Sequence, residues 1–175
     1  MKELMLKFIN SDLVVMAIPV YVDNVTAIMK MFLERLIPFG DPYFEYDENG
    51  ETRHAGGKYN PPIAIIATCA FPEQSQLDII EDIFHRVSRS FHTRVVAEIF
   101  RGEASILREP PRDAEASVAE HWNLVQRAGR EVAQKMKISE DTVLRLEEPL
   151  MPYDQYIREA NVHWDNVMAT MKKQS

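Results

Sequence analysis

The chain has 175 residues, 46% of them hydrophobic, a net charge of −7 and one cysteine. This length suffices for one domain, no run reaches the ~20 apolar residues of a membrane span, and the first ten residues lack a signal peptide's apolar core. We therefore expect a cytoplasmic protein without a membrane partner. The acidic charge argues against a nucleic-acid partner. The single Cys69 excludes an internal disulfide or a cysteine-built metal centre within one chain.

The spacing of apolar residues predicts alternating helices and strands in the first part of the chain. A short first helix is marked by Leu4, Met5 and Phe8. Residues 13–18 and 63–67 are apolar at successive positions, which predicts strands covered on both faces, as in a parallel sheet between helices. The stripe between these two strands predicts a crossover helix; its members are Val25, Ile28, Met29, Phe32, Leu33 and Leu36.

The alternation continues with a second crossover helix over 77–91 and a strand over 94–100, whose mixed pattern is typical of a sheet edge. Two prolines then interrupt the chain before a long helix, for which Asp113 is a plausible N-cap. The apolar stripe of that helix is Val118, Trp122, Val125, Gly129, Val132 and Met136. A final helix is expected to begin near Pro152.

A hairpin insertion over residues 41–60 interrupts the alternation. Asn49 and Gly50 form a strong two-residue turn signal. The residues expected to pair across it are Phe44 and Tyr46 with Thr52 and His54. Its acidic residues lack the ligand spacing of a calcium loop. We interpret the hairpin as a solvated structural element, or functionally as a flap over a neighbouring site or a dimer arm.

A ligand is expected at the carboxyl ends of the parallel strands, where loops and helix N-termini meet. The loops there are 19–24, 68–74 and the stretch after Phe100. Tyr21 and Phe71 place aromatic rings beside backbone amides and short polar groups in the first two loops. This composition suits a flat heteroaromatic ring better than a phosphate.

Residues 11–36 carry a resemblance to a known family. The matching positions are Asp12, Pro19, Tyr21, Lys30, Phe32 and Arg35, with Glu34 where aspartate is usual. The segment resembles the flavodoxin-like NAD(P)H-dependent FMN reductases, most closely the branch that includes the iron–sulfur flavoproteins. The later "IAIIATCAFPEQ" (63–74) resembles the next strand and flavin-side loop, with Cys69 and Ala70 where a glycine is often present. The resemblance covers roughly residues 1–107.

The resemblance implies a truncated flavodoxin-like three-layer α/β/α fold over residues 1–108, followed by a helical extension over 109–175 that packs on the core. It implies an FMN-dependent oxidoreductase in which hydride passes from a nicotinamide nucleotide to the flavin, with no catalytic side chain. The residues implied to line the flavin ring are Pro19, Val20, Tyr21, Val22, Asp23, Asn24, Thr68, Cys69, Ala70 and Phe71.

Relative to this family, the chain starts at the helix before the third strand and lacks the phosphate loop. Losing about five charge-assisted hydrogen bonds at ~1.5 kcal/mol each would weaken FMN binding by roughly five decades. We therefore expect FMN binding by this chain alone to be weak or absent. The strand over 13–18 is also expected to have an unpaired edge, covered by the tail, by the hairpin, by a second copy in a homodimer or by a partner chain.

Several other candidate residues have a plainer interpretation. His85 and His92 lie seven apart on one predicted helix, but no third ligand is spaced to join them in a metal site. Cys69 has apolar neighbours and is expected to be a buried, inert thiol rather than a reactive one. Lys30, Glu34 and Arg35 are expected to form surface ion pairs rather than to contact a nicotinamide phosphate; these residues are close in sequence on one helix.

The sequence leaves two functions from different classes open. The first is an FMN-dependent NAD(P)H oxidoreductase of flavodoxin type, either with its amino-terminal portion lost through a late start codon or working with a partner that restores it. The second is a flavin-free interaction or assembly module that retains a truncated flavodoxin-like scaffold. Flavin binding by the purified chain is the observation that separates them.

Overall fold

The computed structural model describes residues 2–55 and 60–174, so residues 56–59 of the predicted insertion lie outside the described residues. Three parallel strands form the central sheet in the spatial order β1–β4–β5: β1 is Val14–Pro19, β4 is Ile63–Thr68 and β5 is Val95–Arg101. Two short antiparallel strands, β2 (Phe44–Tyr46) and β3 (Thr52–His54), form the hairpin. The described fold is therefore mixed α/β, as the apolar spacing predicts.

Six helices accompany the sheet within residues 2–55 and 60–174. They are α1 (Lys2–Ile9), α2 (Ala27–Glu34), α3 (Asp78–Ser90), α4 (Glu115–Lys135), α5 (Glu140–Glu147) and α6 (Tyr153–Gln174). Short 3-10 turns follow the strands at Gln74–Leu77 and Ala104–Ile106. None of the helices in the described ranges is long and apolar enough to cross a membrane.

The helices cover the sheet from two sides and give a three-layer arrangement. On one face, α1, α2 and α3 pack against the sheet through a core that includes Phe8, Leu33, Ile65 and Phe84. On the other face, α4 and α5 pack against the sheet in a second cluster; its members include Ala64, Ala97, Ile99, Leu124, Ala128 and Leu146. Alternate side chains of β4 thus enter opposite cores, which explains its uninterrupted apolar sequence.

Strand β1 departs from the expectation that it is covered on both faces. Met16 and Ile18 are buried beneath α1 and α2, but Val15 is 53% exposed and Ala17 is also exposed. The reason is the position of α4 and α5, which cover β4 and β5 but do not extend over β1. Within residues 2–55 and 60–174, only β4 pairs with β1, so neither the hairpin nor the tail covers its outer edge. The predicted edge position of β5 is confirmed.

Helix α4 is present where it is predicted, but its inner face is rotated. The buried residues are Val118, His121, Leu124, Ala128 and Val132, whereas Trp122 and Gly129 are exposed. Trp122 lies about 180° around the helix from Glu131, which contacts α5, and thus on the side nearer β1. The predicted stripe was wrong at these positions because a buried histidine, which periodicity treats as polar, occupies the core side.

The start of α4 and the position of α5 also differ from prediction. Helix α4 begins after a 3-10 turn, and Ala114 rather than Asp113 precedes it; the Asp113 carboxylate instead accepts a hydrogen bond from Gln155. Helix α5 was not predicted. Its signal is present in the sequence, since Ser139 caps the helix by accepting from the Thr142 amide and acidic residues follow in the first turn.

The hairpin forms with the predicted pairs, but its turn is longer than the predicted Asn49–Gly50 turn. The Asp47 amide donates to the Glu51 carbonyl, which leaves three loop residues, and the Asp47 carboxylate accepts from the Asn49 and Glu51 amides. Arg89 of α3 binds the Asp47 carboxylate at 2.5 Å. Because the C-terminal end of α3 lies at the amino edge of the sheet, the hairpin is at the opposite end from the strands' carboxyl ends and is not a flap over them.

Candidate functional site

The carboxyl ends of β1 and β4 meet at one edge of the sheet. Parallel pairing aligns Pro19 with Thr68, so the loops that follow them are adjacent. Together they enclose a cleft of about 530 Å³. The residues that line it are Pro19, Val20, Tyr21, Val22, Asp23, Thr68, Cys69, Ala70, Phe71, Gln76, Ala104 and Ser105. Nine of the ten residues singled out from the sequence therefore lie around one cavity.

The tenth, Asn24, does not line the cleft but closes the turn that shapes one wall. The amides of Tyr21 and Asn24 each donate to the other residue's carbonyl at 3.3 Å, which makes a two-residue turn of Val22 and Asp23. Both turn residues have positive φ, 52° and 51°. The Asn24 side chain accepts from the Val25 amide at 2.8 Å and so fixes the exit from the turn.

About half of the backbone amides in these loops are already used by the protein. Val20 donates to the Thr68 carbonyl at 2.8 Å and Cys69 donates to the Arg101 carbonyl at 3.0 Å. In the described part of the chain, the amides of four residues in these two loops donate to no protein acceptor; these are Val22, Asp23, Ala70 and Phe71. Both loops that line the cleft therefore retain unused hydrogen-bond donors, and both carry an exposed aromatic residue, Tyr21 or Phe71.

The loop after β5 makes the third wall, as predicted from the sequence for the stretch after Phe100 that starts with Arg101 and Gly102. Gly102 is required there, since a Cβ atom would lie 2.6 Å from the carbonyl oxygens of Phe71 and Pro72. The amides of Glu103 and Ala104 donate to the carbonyls of Phe71 and Cys69 at 3.1 and 3.0 Å. This close backbone contact fixes the Phe71 loop against the end of β5.

Tyr156 of α6 connects the cleft to the C-terminal helices. Its buried hydroxyl donates to the Ala70 carbonyl and contacts the Ser105 hydroxyl at 2.6 Å. Burial raises the pKa of Tyr156, so the group is a neutral hydrogen-bond donor at neutral pH. Cleft formation thus depends on α6, a connection that no local sequence pattern indicates because Tyr156 and Ala70 are 86 residues apart.

Cys69 lies at the base of the cleft as a buried thiol. Its Sγ donates to the Phe71 carbonyl at 3.3 Å, and burial raises its pKa. A raised pKa disfavours the nucleophilic thiolate. These observations favour the inert thiol expected from the sequence over a reactive one.

Behind the β5 wall, a buried polar cluster joins the sheet to the C-terminal segment. The Glu103 carboxylate accepts from the amides of Leu150 and Met151 at 2.8 and 3.3 Å. Arg101 donates to the Glu148 carbonyl at 3.0 Å and lies 3.5 Å from Glu103. Burial, with Arg101 as a second cause, lowers the pKa of the neighbouring His121 to about 4. This cluster orders the chain that leads into α6.

His85 and His92, the two histidines considered for a metal pair, have different contacts. His85 contacts Glu98 at 3.1 Å and Glu81 at 3.9 Å, and the three ligand atoms lie within 4.8 Å of one another. His92 instead contacts the His54 carbonyl at 2.6 Å. The carboxylate partners of His85 were missed, because Glu98 comes from β5 and Glu81 from the preceding helical turn. His85 and Glu81 are exposed and Glu98 is partly buried, which is consistent with an ion pair at the protein surface.

The Lys30–Glu34 pair predicted on α2 is confirmed, with a distance of 2.7 Å. Arg35 donates to the Met31 carbonyl rather than to a carboxylate. Neither Lys30 nor Arg35 lines the cleft, and no lysine, arginine or histidine does so among the described residues. The described lining thus combines the side chains of Tyr21 and Phe71 with loop backbone and short polar groups.

Comparison with known proteins finds no family model that matches this chain and no match among curated proteins.

Proposed function

We propose that the cleft binds the isoalloxazine ring of FMN and that this chain is the ring-binding part of a flavodoxin-like, FMN-dependent NAD(P)H oxidoreductase. The observation that supports the proposal best is that two loops with four unused amides and the exposed Tyr21 and Phe71 line one cavity at the carboxyl ends of two parallel strands. A volume of about 530 Å³ is in the range of small-molecule sites.

In this proposal, the cleft residues position the flavin and exclude water from it, and they do not transfer protons. Bound FMN would supply the redox chemistry by accepting a hydride from a nicotinamide nucleotide. The rings of Tyr21 and Phe71 would pack on the flavin and exclude water from it. The free amides of Ala70 and Phe71, or of Val22 and Asp23, would donate to its pyrimidine oxygens and nitrogens, where negative charge increases on reduction.

The phosphate of FMN has no partner of its own in the described cleft. Ser105 is engaged with Tyr156, and no cationic side chain lines the cavity. We therefore propose that a second polypeptide segment supplies the phosphate contacts. This segment would pair with the outer edge of β1, because a strand added there would lie beside Pro19 and Val20 at the open side of the cleft.

Ring-only recognition leads to a direct test by flavin titration. Riboflavin and FMN should bind with affinities within about twofold of each other, because the phosphate makes no contact. Tyr21→Ala and Phe71→Ala should each weaken binding about 10-fold or more, as loss of an aromatic stacking partner does. Quenching of flavin fluorescence and the shift of its visible absorbance measure the binding.

Phe44→Ala provides the matched control, because Phe44 is an exposed aromatic residue on the hairpin, at the other end of the sheet. It should leave flavin affinity unchanged. The proposal would be contradicted if neither flavin binds at millimolar concentration, or if Phe44→Ala weakens binding as much as Phe71→Ala.

A second candidate function is the flavin-free assembly module. The unpaired edge of β1 and the exposed Val15 and Ala17 beside it favour this candidate, because they form an unfilled position for a strand and a helix. Trp122 and Gly129 of α4 are exposed as well. The absence of flavin binding, together with binding of a protein partner that protects the β1 amides from hydrogen exchange, would favour assembly over redox chemistry.

A further inference from the structure

Helix α6 leaves the body of the protein after its first two turns. Tyr156 is buried, but every residue from Asn161 to Lys172 is exposed except the partly exposed Val167. An isolated helix is only marginally stable in water, even at 20 residues. An amphipathic helix in this situation is normally stabilised by burying its apolar face.

The apolar face of α6 is a continuous stripe with heptad-like spacing. Its members are Ile157, Ala160, Trp164, Val167, Met168 and Met171. Trp164 is 61% exposed and is the central residue of the stripe, seven positions from Ile157 and seven from Met171. Such a seam fits the a and d positions of a two-helix contact.

A groove of about 600 Å³ runs between the stripe and the body. Apolar side chains dominate its walls, among them Phe71, Ile106, Pro110, Pro111, Ile157 and Trp164. Two carboxylates, Glu109 and Glu159, also line it. The groove shares Ala70, Phe71 and Ser105 with the cleft, so the two cavities adjoin.

We propose that α6 of a second copy of this chain lies antiparallel on the stripe and in this groove, which makes the protein a homodimer through α6. A two-fold axis at Trp164 makes the stripes of the two copies overlap along their full length. It places Ile157 of one copy opposite Met171 of the other, and Ala160 opposite Met168. The groove at the start of α6 then receives the C-terminal end of the second helix.

The charges along α6 select the antiparallel arrangement. Asp154 and Lys172 lie 18 residues apart, or five helical turns, and therefore on the same flank of the stripe. In the antiparallel dimer, Lys172 of each copy faces Asp154 of the other, and the basic helix end meets the groove that contains Glu109 and Glu159. A parallel dimer would keep Asp154 of one copy about 27 Å along the axis from Lys172 of the other, at 1.5 Å per residue, and would align the helix dipoles unfavourably.

The antiparallel arrangement uses both the stripe and the groove of each copy, so every contact is made twice. A stable complex buries at least about 1,200 Å² in total, which sets the area that the two helices and the two grooves must supply. Trp164 is at the centre, where tryptophan commonly dominates binding energy. Phe71 separates the groove from the cleft, so the second copy's helix would contact the groove side of Phe71 and leave its cleft side open.

Light scattering across a concentration series tests the interface with two tryptophan variants. The chain has two tryptophans, Trp164 on α6 and Trp122 on α4, and both are partly exposed. Trp164→Glu should weaken dimerisation at least about 30-fold, whereas Trp122→Glu should leave it unchanged. A wild-type chain that is monomeric at every concentration would overturn the proposal. So would a dimer that Trp122→Glu dissociates and Trp164→Glu does not, since that dimer would form through β1.

Charge reversal and cross-linking test the orientation without changing the core. Lys172→Asp should weaken the dimer about fivefold, and Asp154→Lys in the same chain should restore it. With Cys69 replaced by serine, the pair Ala160→Cys and Met168→Cys should give a covalent dimer on oxidation, because the two cysteines are too far apart to join within one helix. Ala160→Cys alone should not cross-link. Cross-linking by Ala160→Cys alone would show a parallel dimer and overturn the arrangement.

Discussion

Val22 holds a backbone conformation that disfavours its residue type. Its φ of 52° is in the left-handed region, where a β-branched side chain is strained, and the side chain is 96% exposed, so no packing offsets the cost. The neighbouring Asp23 shares this conformation but tolerates it better. Strain of this kind, placed at the entrance of a cleft, is typical of a position selected for contact with a ligand.

Replacing Val22 tests this interpretation. Val22→Gly should raise the free energy of unfolding by about 1 kcal/mol, because glycine adopts positive φ without steric cost. If Val22 contacts the flavin, the same variant should weaken flavin binding while it stabilises the protein. Urea unfolding and flavin titration measure the two effects. Val22→Ala, which keeps a Cβ atom, should gain less stability; a Val22→Gly variant less stable than the wild type would contradict the assignment of strain.

At the scale of the element, the loop after β5 and helix α4 each carry a glycine with an opposite role. A Cβ atom on Gly102 would overlap the carbonyl oxygens of Phe71 and Pro72, whereas a Cβ atom on Gly129 would meet no atom within 4 Å. Gly102 is therefore required by the contact between two loops of the cleft. Gly129 only lowers the helical stability of α4.

The same substitution at both sites should therefore have opposite effects. Gly102→Ala should lower the free energy of unfolding by about 2 kcal/mol, as overpacking of a rigid contact does, and should displace the Phe71 loop. Gly129→Ala should raise it by about 1 kcal/mol, the difference in helix propensity. Urea unfolding monitored by circular dichroism measures both. Equal effects of the two substitutions would show that the loop contact is not rigid.

Much of the element pattern was predictable from periodicity, and the errors have identifiable causes. The strands at 13–18, 63–67 and 94–100 and five of the six helices follow from apolar spacing, because burial selects those positions. The rotated face of α4 and the missed α5 do not follow, since His121 and Thr142 are buried through tertiary contacts. The loops of the cleft were predicted from the strand ends. The contact between Ser105 and Tyr156 was not, because only the folded chain brings these two residues together.

At the scale of the whole molecule, His121 makes stability depend on pH. The pKa of His121 is lowered from 6.5 to about 4 by burial and by Arg101, so unfolding takes up a proton between these values. Stability is fully present above pH 6.5 and decreases as the pH falls toward 4, by about 2 kcal/mol at pH 5. His121→Asn should remove this decrease. Urea unfolding at pH 7.5, 6 and 5 measures it.

Glu131 provides the control for this pH dependence. Hydrogen bonds from Ser139, Thr142 and Arg127 lower the pKa of Glu131 from 4.5 to about 2. Glu131 therefore stabilises the fold fully above pH 4.5, and this stabilisation is lost only as the pH falls below that value. Glu131→Gln should thus leave the change between pH 7.5 and 5 unaltered. If His121→Asn retains the full pH 5 decrease, another group is responsible for it.

The sheet order β1–β4–β5 has a consequence for how the chain is assembled during synthesis. The spatial order of the three parallel strands is also their order along the chain, so each new strand joins at a single advancing edge. No later strand has to insert between two that are already paired. The nascent chain can therefore add its crossover units one by one as it leaves the ribosome, and the layer formed by α4 and α5 closes over the sheet last.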